Sequence, residues 1–183
     1  MNRLIAVLAL LSLCACGTAK YEVNPDGSRP VLYPAANVLQ WPVADGAHQS
    51  PSGDAKIFID PTATFDKGVQ LGNGVRIGAK SFIDEDVMLF PNVTVGQETT
   101  IGGDAIVQSD VKIGNKVMIR GDAKIGAGSV IEDGAAVSKW ARLGNHVTVG
   151  ANAIIGTGAI IGDGATINKS QVVPASSRVD ASK

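Results

Sequence analysis

The sequence predicts an all-β fold, a single-stranded parallel β-helix, and three observations lead to it. Large apolar residues recur at every sixth position from Ile59 to Val173 without a break. A usually smaller residue stands two positions before nearly every one of them, and glycine often follows directly after. A period of six matches neither a helix of 3.6 residues per turn nor a hairpin meander, and it is typical of solenoids built from hexapeptides. The large residues are Ile59, Phe65, Leu71, Ile77, Ile83, Leu89, Val95, Ile101, Val107, Ile113, Ile119, Ile125, Ile131, Val137, Leu143, Val149, Ile155, Ile161, Ile167 and Val173.

The same period predicts the cross-section, which is a three-sided prism. Alternate side chains of a strand face the same side, so each hexapeptide supplies two inward residues and then a corner. Three hexapeptides close one coil of eighteen residues, and equivalent residues of successive coils stack on one another. About six coils, with parallel strands about 4.8 Å apart, would form a column on the order of 30 Å tall.

The first fifteen residues have the layout of a cleaved signal peptide. Arg3 precedes an apolar run over residues 4–13 that is too short to span a bilayer. The segment LCACG at residues 13–17 resembles the lipidation box of bacterial lipoproteins, and Cys16 is the better acylation site because a small residue precedes it. The alternative is an ordinary signal peptide. The resemblance implies a lipid anchor, and Gly17 after the cysteine, in place of aspartate, implies the outer membrane.

Three further segments follow the signal. Residues 16–56 are rich in Pro, Gly, Ser, Asn and Asp, a composition typical of turns and linkers. We expect the β-helix at residues 57–173 and a polar tail at 174–183. Solenoids need end caps, because their end coils expose apolar surface and strand edges. The linker is therefore either a tether or a cap, and its apolar candidates are Tyr21, Val31, Leu32, Tyr33, Val38, Leu39 and Trp41.

Two motifs carry a resemblance to a known family. The segments VGANAI at residues 149–154 and IGDGAT at residues 161–166 resemble the hexapeptide-repeat, left-handed β-helix superfamily, and similar segments cover nearly all of residues 57–173. The left hand of the coil is implied by this resemblance. The superfamily includes acyltransferases acting on sugar nucleotides and lipid A precursors, γ-type carbonic anhydrases, and proteins without known chemistry. Most of them are trimers.

One side of the predicted prism is a candidate trimer interface. The residue between two inward ones points outward, and on this side no such residue is charged. A contiguous exposed apolar strip usually marks a contact surface, so we expect this side to pack in a homotrimer with closed threefold symmetry. The alternative is a scatter of ordinary surface residues. The candidate interface residues are Phe82, Thr100, Met118, Ala136, Ile154 and Val172.

His146 is the candidate catalytic residue. Acyltransferases of the superfamily use a histidine as general base on the acceptor. In the lipid A acyltransferases this histidine falls two places after the large core residue, where Asn145 stands here. His146 occupies a corner position that also holds Gly68, Gly74, Asn92, Asn152, Gly158 and Gly164, residues that tolerate a positive φ, and histidine is itself enriched there. His146 is therefore either a turn residue or a base in a groove between subunits.

The γ-type carbonic anhydrases need three zinc-binding histidines. The segments IRGD at residues 119–122 and IEDGA at residues 131–135 are similar to that family's Arg-Gly-Asp and Ile-Gln-Asp segments. Where the histidines would stand, this chain has Ser138, Ala151 and Gly156. We therefore expect no bound zinc, and the only interpretation left in this direction is a degenerate relative without the ligands.

Three carboxylates are predicted to stack at one corner. Asp86, Asp104 and Asp122 are eighteen residues apart, and Trp140 continues the column. Like charges about 5 Å apart repel by roughly 1 kcal/mol in water. A protein cation, either Arg120 or Lys139, would relieve the repulsion. The alternative is Ca²⁺, which takes oxygen ligands of this kind.

Composition narrows the function without fixing it. The formal net charge is −1, and from the sequence we expect neither a basic stripe nor a pI above 9, which argues against nucleic acid as a partner. The sixfold count leaves no room for a loop that encloses a substrate. We expect a non-catalytic structural or binding module, held by a lipid at the outer membrane and needing no cofactor. The alternative is an acyltransferase that acts on a sugar or envelope glycan with coenzyme A or an acyl carrier as donor.

Overall fold

The computed structural model describes residues 38–39 and 57–181, which form twenty-two short strands. None of the described segments is a helix of the length and hydrophobicity that a bilayer crossing needs. The strands, in chain order, are β1 (Val38–Leu39), β2 (Phe58–Ile59), β3 (Thr64–Phe65), β4 (Gln70–Gly72), β5 (Arg76–Ile77), β6 (Phe82–Ile83), β7 (Met88–Leu89), β8 (Thr94–Val95), β9 (Thr100–Ile101), β10 (Ile106–Val107), β11 (Lys112–Ile113), β12 (Met118–Ile119), β13 (Lys124–Ile125), β14 (Val130–Ile131), β15 (Ala136–Val137), β16 (Arg142–Leu143), β17 (Thr148–Val149), β18 (Ile154–Ile155), β19 (Ile160–Ile161), β20 (Thr166–Ile167), β21 (Val172–Val173) and β22 (Arg178–Val179).

Three sheets form the sides of the prism, which confirms the predicted fold. Sheet A contains every third strand from β4 to β22, with β1 at its edge; sheet B runs from β2 to β20 and sheet C from β3 to β21. From β2 onward each strand pairs in parallel with the strand eighteen residues further on, as in Lys112↔Val130 and Met118↔Ala136. Each coil therefore passes through sheets B, C and A in turn, and side chains eighteen residues apart line up along the axis.

Each hexapeptide fills the interior with the two residues that the periodicity predicts. In β12, for example, Ile119 is fully buried and Val117, just before the strand, is 1% exposed, while Met118 between them points outward. Fully burying an aliphatic side chain of this size contributes about 1.5–3 kcal/mol. Because every coil adds equivalent residues, the core is one continuous apolar column.

Buried hydroxyls replace alanine or valine at three inward positions, Ser81, Thr99 and Ser129. Each hydroxyl binds the backbone of the next coil. Ser81 Oγ donates to the Gly96 carbonyl at 2.7 Å and accepts from Thr99 N at 3.2 Å. Ser129 Oγ makes the same two contacts with Gly144 O and Val147 N. These buried polar groups are thus satisfied, as burial requires.

The corners are four-residue turns in which the third residue has a positive φ. Every sixth residue from Gly68 to Ser176 has φ between 54° and 75°, the geometry of a type II turn. Thirteen of these nineteen residues are not glycine, so side chains are displayed here at a conformational cost. The backbone N–H of each such residue donates to the coil below, as in His146 N to Ala127 O at 2.8 Å.

Several glycines directly follow a large core residue, just before a corner. They have a separate cause, which is the close approach of the next coil's backbone. A Cβ on Gly96 would lie 2.5 Å from the carbonyl carbon of Gly114 in the next coil. Backbone cannot move away as a flexible side chain can, so a larger residue at position 96 would force these two coils to shift. The many glycines of the repeats are therefore explained by the positive φ of the corners and by the close approach of neighbouring coils.

The two ends of the solenoid differ from its middle. At the N-terminal edge of sheet A, β1 pairs antiparallel with β4, with Val38 opposite Gly72. The other candidate cap residues, except Leu39 in β1, lie outside the described residues. At the C-terminal end the predicted boundary at residue 173 is one strand short, because β22 pairs with β19 and continues the repeat through Val179. The polar residues Gln171 and Ser177 occupy inward positions there, and the predicted boundary placed Gln171 in the β-helix but Ser177 in the polar tail.

Candidate functional site

His146 lies at the corner between sheets A and B, which we call the A–B corner. Its φ is 54° and its side chain is exposed. The imidazole leans over the coil below, so that a Cβ on Gly128 would lie 2.5 Å from His146 Nδ1. Within residues 57–181 the imidazole has no side-chain hydrogen-bond partner, and therefore no carboxylate orients it as a general base.

The neighbours of His146 belong to a ladder of backbone caps. Asn145 Oδ1 accepts from Ala127 N in the coil below at 2.9 Å, and Asn145 N donates to Asp163 Oδ1 in the coil above at 2.8 Å. The amide and carboxylate next to His146 are thus engaged in joining coils. The arrangement gives His146 the geometry that the turn interpretation expects.

The corner between sheets B and C, the B–C corner, repeats this ladder. Asn115 Oδ1 accepts from Gln97 N at 2.9 Å, and Asn115 N donates to Asp133 Oδ1 at 2.7 Å. A shallow groove open to solvent runs along these residues. Further down, the Thr62 hydroxyl and backbone N–H donate to Asp60, and these hydrogen bonds lower the pKa of the Asp60 carboxyl.

The aspartate column lies at the corner between sheets C and A, the C–A corner. Asp86, Asp104 and Asp122 all have positive φ, and Lys139 Nζ lies 3.4 Å from Asp122 Oδ2. The protein cation that the sequence suggested is therefore present beside Asp122. No group of three or more acidic, histidine or cysteine side chains in the described part of the chain is arranged to hold a metal ion, so the calcium alternative gains no support.

The outward residues of sheet C form the apolar face that the sequence predicts. Phe82, Met118, Ile154 and Val172 are between 38% and 62% exposed, and the residues between them in the column are uncharged. Sequence reasoning missed one member of this surface. Trp140, at the adjoining C–A corner, is 56% exposed and has Lys139 Nζ 4.7 Å from its ring centroid. The sequence could have indicated this role of Trp140, because a large aromatic residue at a corner position with a positive φ is unusual.

Comparison with known proteins agrees with this geometry. A family model described as the hexapeptide repeat of succinyl-transferase matches residues 141–168. The fold is that of the hexapeptide-repeat left-handed β-helices. The polySia-specific acetyltransferase NeuO has 21% identity and a TM-score of 0.51, over 65% of this chain and 60% of that chain. At this identity the likeness of the hexapeptide-repeat protein to NeuO concerns the fold.

Two other solved structures match with lower TM-scores. The UDP-N-acetylglucosamine acyltransferase from Campylobacter jejuni has 19% identity over 67% of this chain and 68% of that chain, with a TM-score of 0.32. A hexapeptide transferase family protein from Anaplasma phagocytophilum has 19% identity over 65% and 70%, with a TM-score of 0.33. A comparison with curated proteins finds no match.

The turn geometry at His146 makes a prediction about stability. His146→Asn should change the free energy of unfolding by less than about 0.5 kcal/mol, because asparagine tolerates a left-handed backbone. His146→Val should cost about 1–2 kcal/mol, because a β-branched residue is strained there. Urea unfolding followed by circular dichroism measures both. Equal losses in the two variants would contradict a turn role and assign the stabilisation to the imidazole itself.

Proposed function

We propose that this hexapeptide-repeat protein is a non-catalytic assembly and binding module, held by a lipid anchor in the bacterial outer membrane. The observation that carries the proposal is the unbroken coil. From residue 57 to residue 179 every connection between strands is a corner, so no described segment folds over a surface to enclose a substrate. The chemistry of such a rod lies in its outward columns, which are rigid and regularly spaced.

The proposed lipid anchor would be attached to Cys16, which lies outside the described residues. Its support is the lipoprotein-like segment LCACG, and stable anchoring would need more than one acyl chain, since each buried CH₂ contributes about 0.8 kcal/mol.

Acylation of Cys16 can be tested in bacteria that express the full-length chain. Labelled palmitate should enter the wild-type protein and the Cys14→Ser control, and it should be absent from Cys16→Ser. Gel fluorography of the purified protein measures the incorporation. Label that survives in Cys16→Ser, or that disappears in Cys14→Ser, would refute this assignment.

The partner that best fits sheet C is a second and third copy of the chain. Its outward column runs the length of the solenoid without a charge, whereas sheet B carries Arg76 and Lys112 and sheet A carries Lys124, Arg142 and Arg178. Trp140 extends the apolar area around the C–A corner. A face of this kind is costly to leave in water, and closed threefold packing would cover it equally in every copy.

Charges placed on sheet C should therefore prevent assembly. Native mass spectrometry of the full-length chain in mild detergent should detect trimers. The double variant Phe82→Lys with Met118→Lys should be monomeric, because burying two charges at the interface would weaken association at least about hundredfold. Thr94→Lys with Val130→Lys adds the same charge to the equivalent positions of sheet B and should leave the trimer intact. A monomeric wild type, or a folded Phe82/Met118 variant that stays trimeric, would remove the assignment.

A second candidate function is that of an acyltransferase, and one observation favours it. The family model described as a succinyl-transferase repeat matches the segment that contains His146. Within residues 57–181 this exposed histidine has no side-chain hydrogen-bond partner and no segment covers it, so an acyl donor and acceptor would have to be held in a groove between copies. In this candidate His146 takes the proton of the acceptor hydroxyl or amine as its oxygen or nitrogen attacks the thioester carbonyl; the C–S bond then breaks, and the proton returns from His146 to the thiolate that leaves.

A turnover assay separates the two candidates. The full-length chain is incubated with acetyl-coenzyme A or acyl-carrier thioester and sugar-nucleotide acceptors, and thiol release is measured. We expect a rate equal to that of His146→Asn, which conserves the turn. A wild-type rate at least about a hundredfold above that of His146→Asn, the contribution expected of a general base, would establish the transferase and overturn the non-catalytic proposal.

A further inference from the structure

The C-terminal half of sheet A displays a strip of cations that the proposed function does not use. Its last four outward residues are Lys124, Arg142, Ile160 and Arg178, all exposed. They are direct register partners on β13, β16, β19 and β22. Side chains on this strip are therefore about 4.8 Å apart along the axis from one coil to the next.

Most of this strip has no counter-charge among the residues that the structure describes. Lys124 and Arg142 form no ion pair with any residue that the structure describes, although they stand on adjacent strands. Arg178 pairs with Asp180 at 2.9 Å, an exposed contact that an external anion can replace. Two like charges at this spacing repel by roughly 1 kcal/mol in water, and an anionic ligand would relieve that repulsion.

The charge of the whole solenoid reinforces the strip. Residues 57–110 contain eight acidic and three basic side chains, a net charge of −5, whereas residues 111–181 contain five acidic and eight basic, a net charge of +3. The field of the described solenoid therefore directs an anion toward the C-terminal half, within the Debye length of about 10 Å. Arg120 and Lys139, at the adjoining C–A corner, add to the positive side.

Sheet B shows that cations alone do not make such a strip. Arg76 and Lys112 occupy outward positions two coils apart, with Thr94 between them, and Arg76 lies 4.4 Å over the Phe58 ring. Only the strip on sheet A combines adjacent cations, two arginines able to bind carboxylates with two parallel hydrogen bonds, and an exposed apolar side chain in line with them.

We infer that this strip binds an extended anionic polysaccharide along the axis of the β-helix. The carboxylates of successive acidic sugars would contact Lys124, Arg142 and Arg178, and the C–H face of a sugar ring would lie on Ile160. A linear polymer suits the strip because its groups, like the side chains of the coils, repeat at short intervals along one line. The inference goes beyond the proposed assembly, since sheet A is distinct from the apolar face of sheet C.

The test uses the full-length chain in mild detergent with polygalacturonate as the probe and neutral dextran as its control. Binding measured by isothermal titration at low salt should occur with polygalacturonate alone and weaken as salt is added. Lys124→Glu with Arg142→Glu should lower the affinity at least about tenfold, a change of 1.4 kcal/mol. Lys112→Glu reverses a charge at the equivalent strand position of sheet B and should change it less than about twofold.

Other outcomes would overturn the inference. The first is an absence of polygalacturonate binding at low salt. The second is a loss of affinity in Lys112→Glu as large as in the Lys124/Arg142 variant, which would indicate diffuse electrostatic attraction. Preference for anionic over neutral phospholipid vesicles, lost in the Lys124/Arg142 variant without any polygalacturonate binding, would assign the strip to a membrane. A changed oligomeric state of that variant in native mass spectrometry would assign it to another copy. Circular dichroism of both variants confirms folding, and the trimer assay reports separately on the proposed function.

Discussion

The fixed length of the corner is the constraint on which this structure depends. Each corner turns the chain in four residues with one positive φ, and each side adds two inward residues. The inward residues therefore meet their equivalents in the next coil, and the backbone hydrogen bonds of all three sheets stay in register. The conformational cost at the thirteen corner residues that are not glycine is offset by a core that is continuous from coil to coil.

This construction leaves the surface as the place where function can differ. The interior repeats Ile, Val, Leu and Ala, and the polar atoms of Asn115, Asn145 and Ser81 are engaged with neighbouring coils. The outward residue of each strand has no such role, because nothing in the repeat specifies it. The three sides consequently diverge into an apolar side, a mixed polar side and a side whose C-terminal half is basic.

The sequence predicted the β-helix, its coil length and its inward residues, because the period of six leaves one solution for burying them. It also predicted which residues share a face, so the apolar column of sheet C followed directly. It did not predict the continuation to Arg178–Val179, where Gln171 and Ser177 interrupt the apolar pattern. It offered Arg120 and Lys139 as alternative cations for the aspartate column, but it could not choose between them or predict that Lys139 also lies over Trp140, since such contacts depend on rotamers. A catalytic role for His146 stays a prediction, because a repeat pattern does not encode the groups that would surround it in an assembly.

The eighteen-residue register has a consequence for how this rod can change in evolution. Gain or loss of one residue would turn the following inward side chains outward, so length can change only in whole coils. Each coil gained adds one outward residue to every side at once. The length of the rod and the number of contact points on each side must therefore grow together, as the graduations of a ruler multiply with its length.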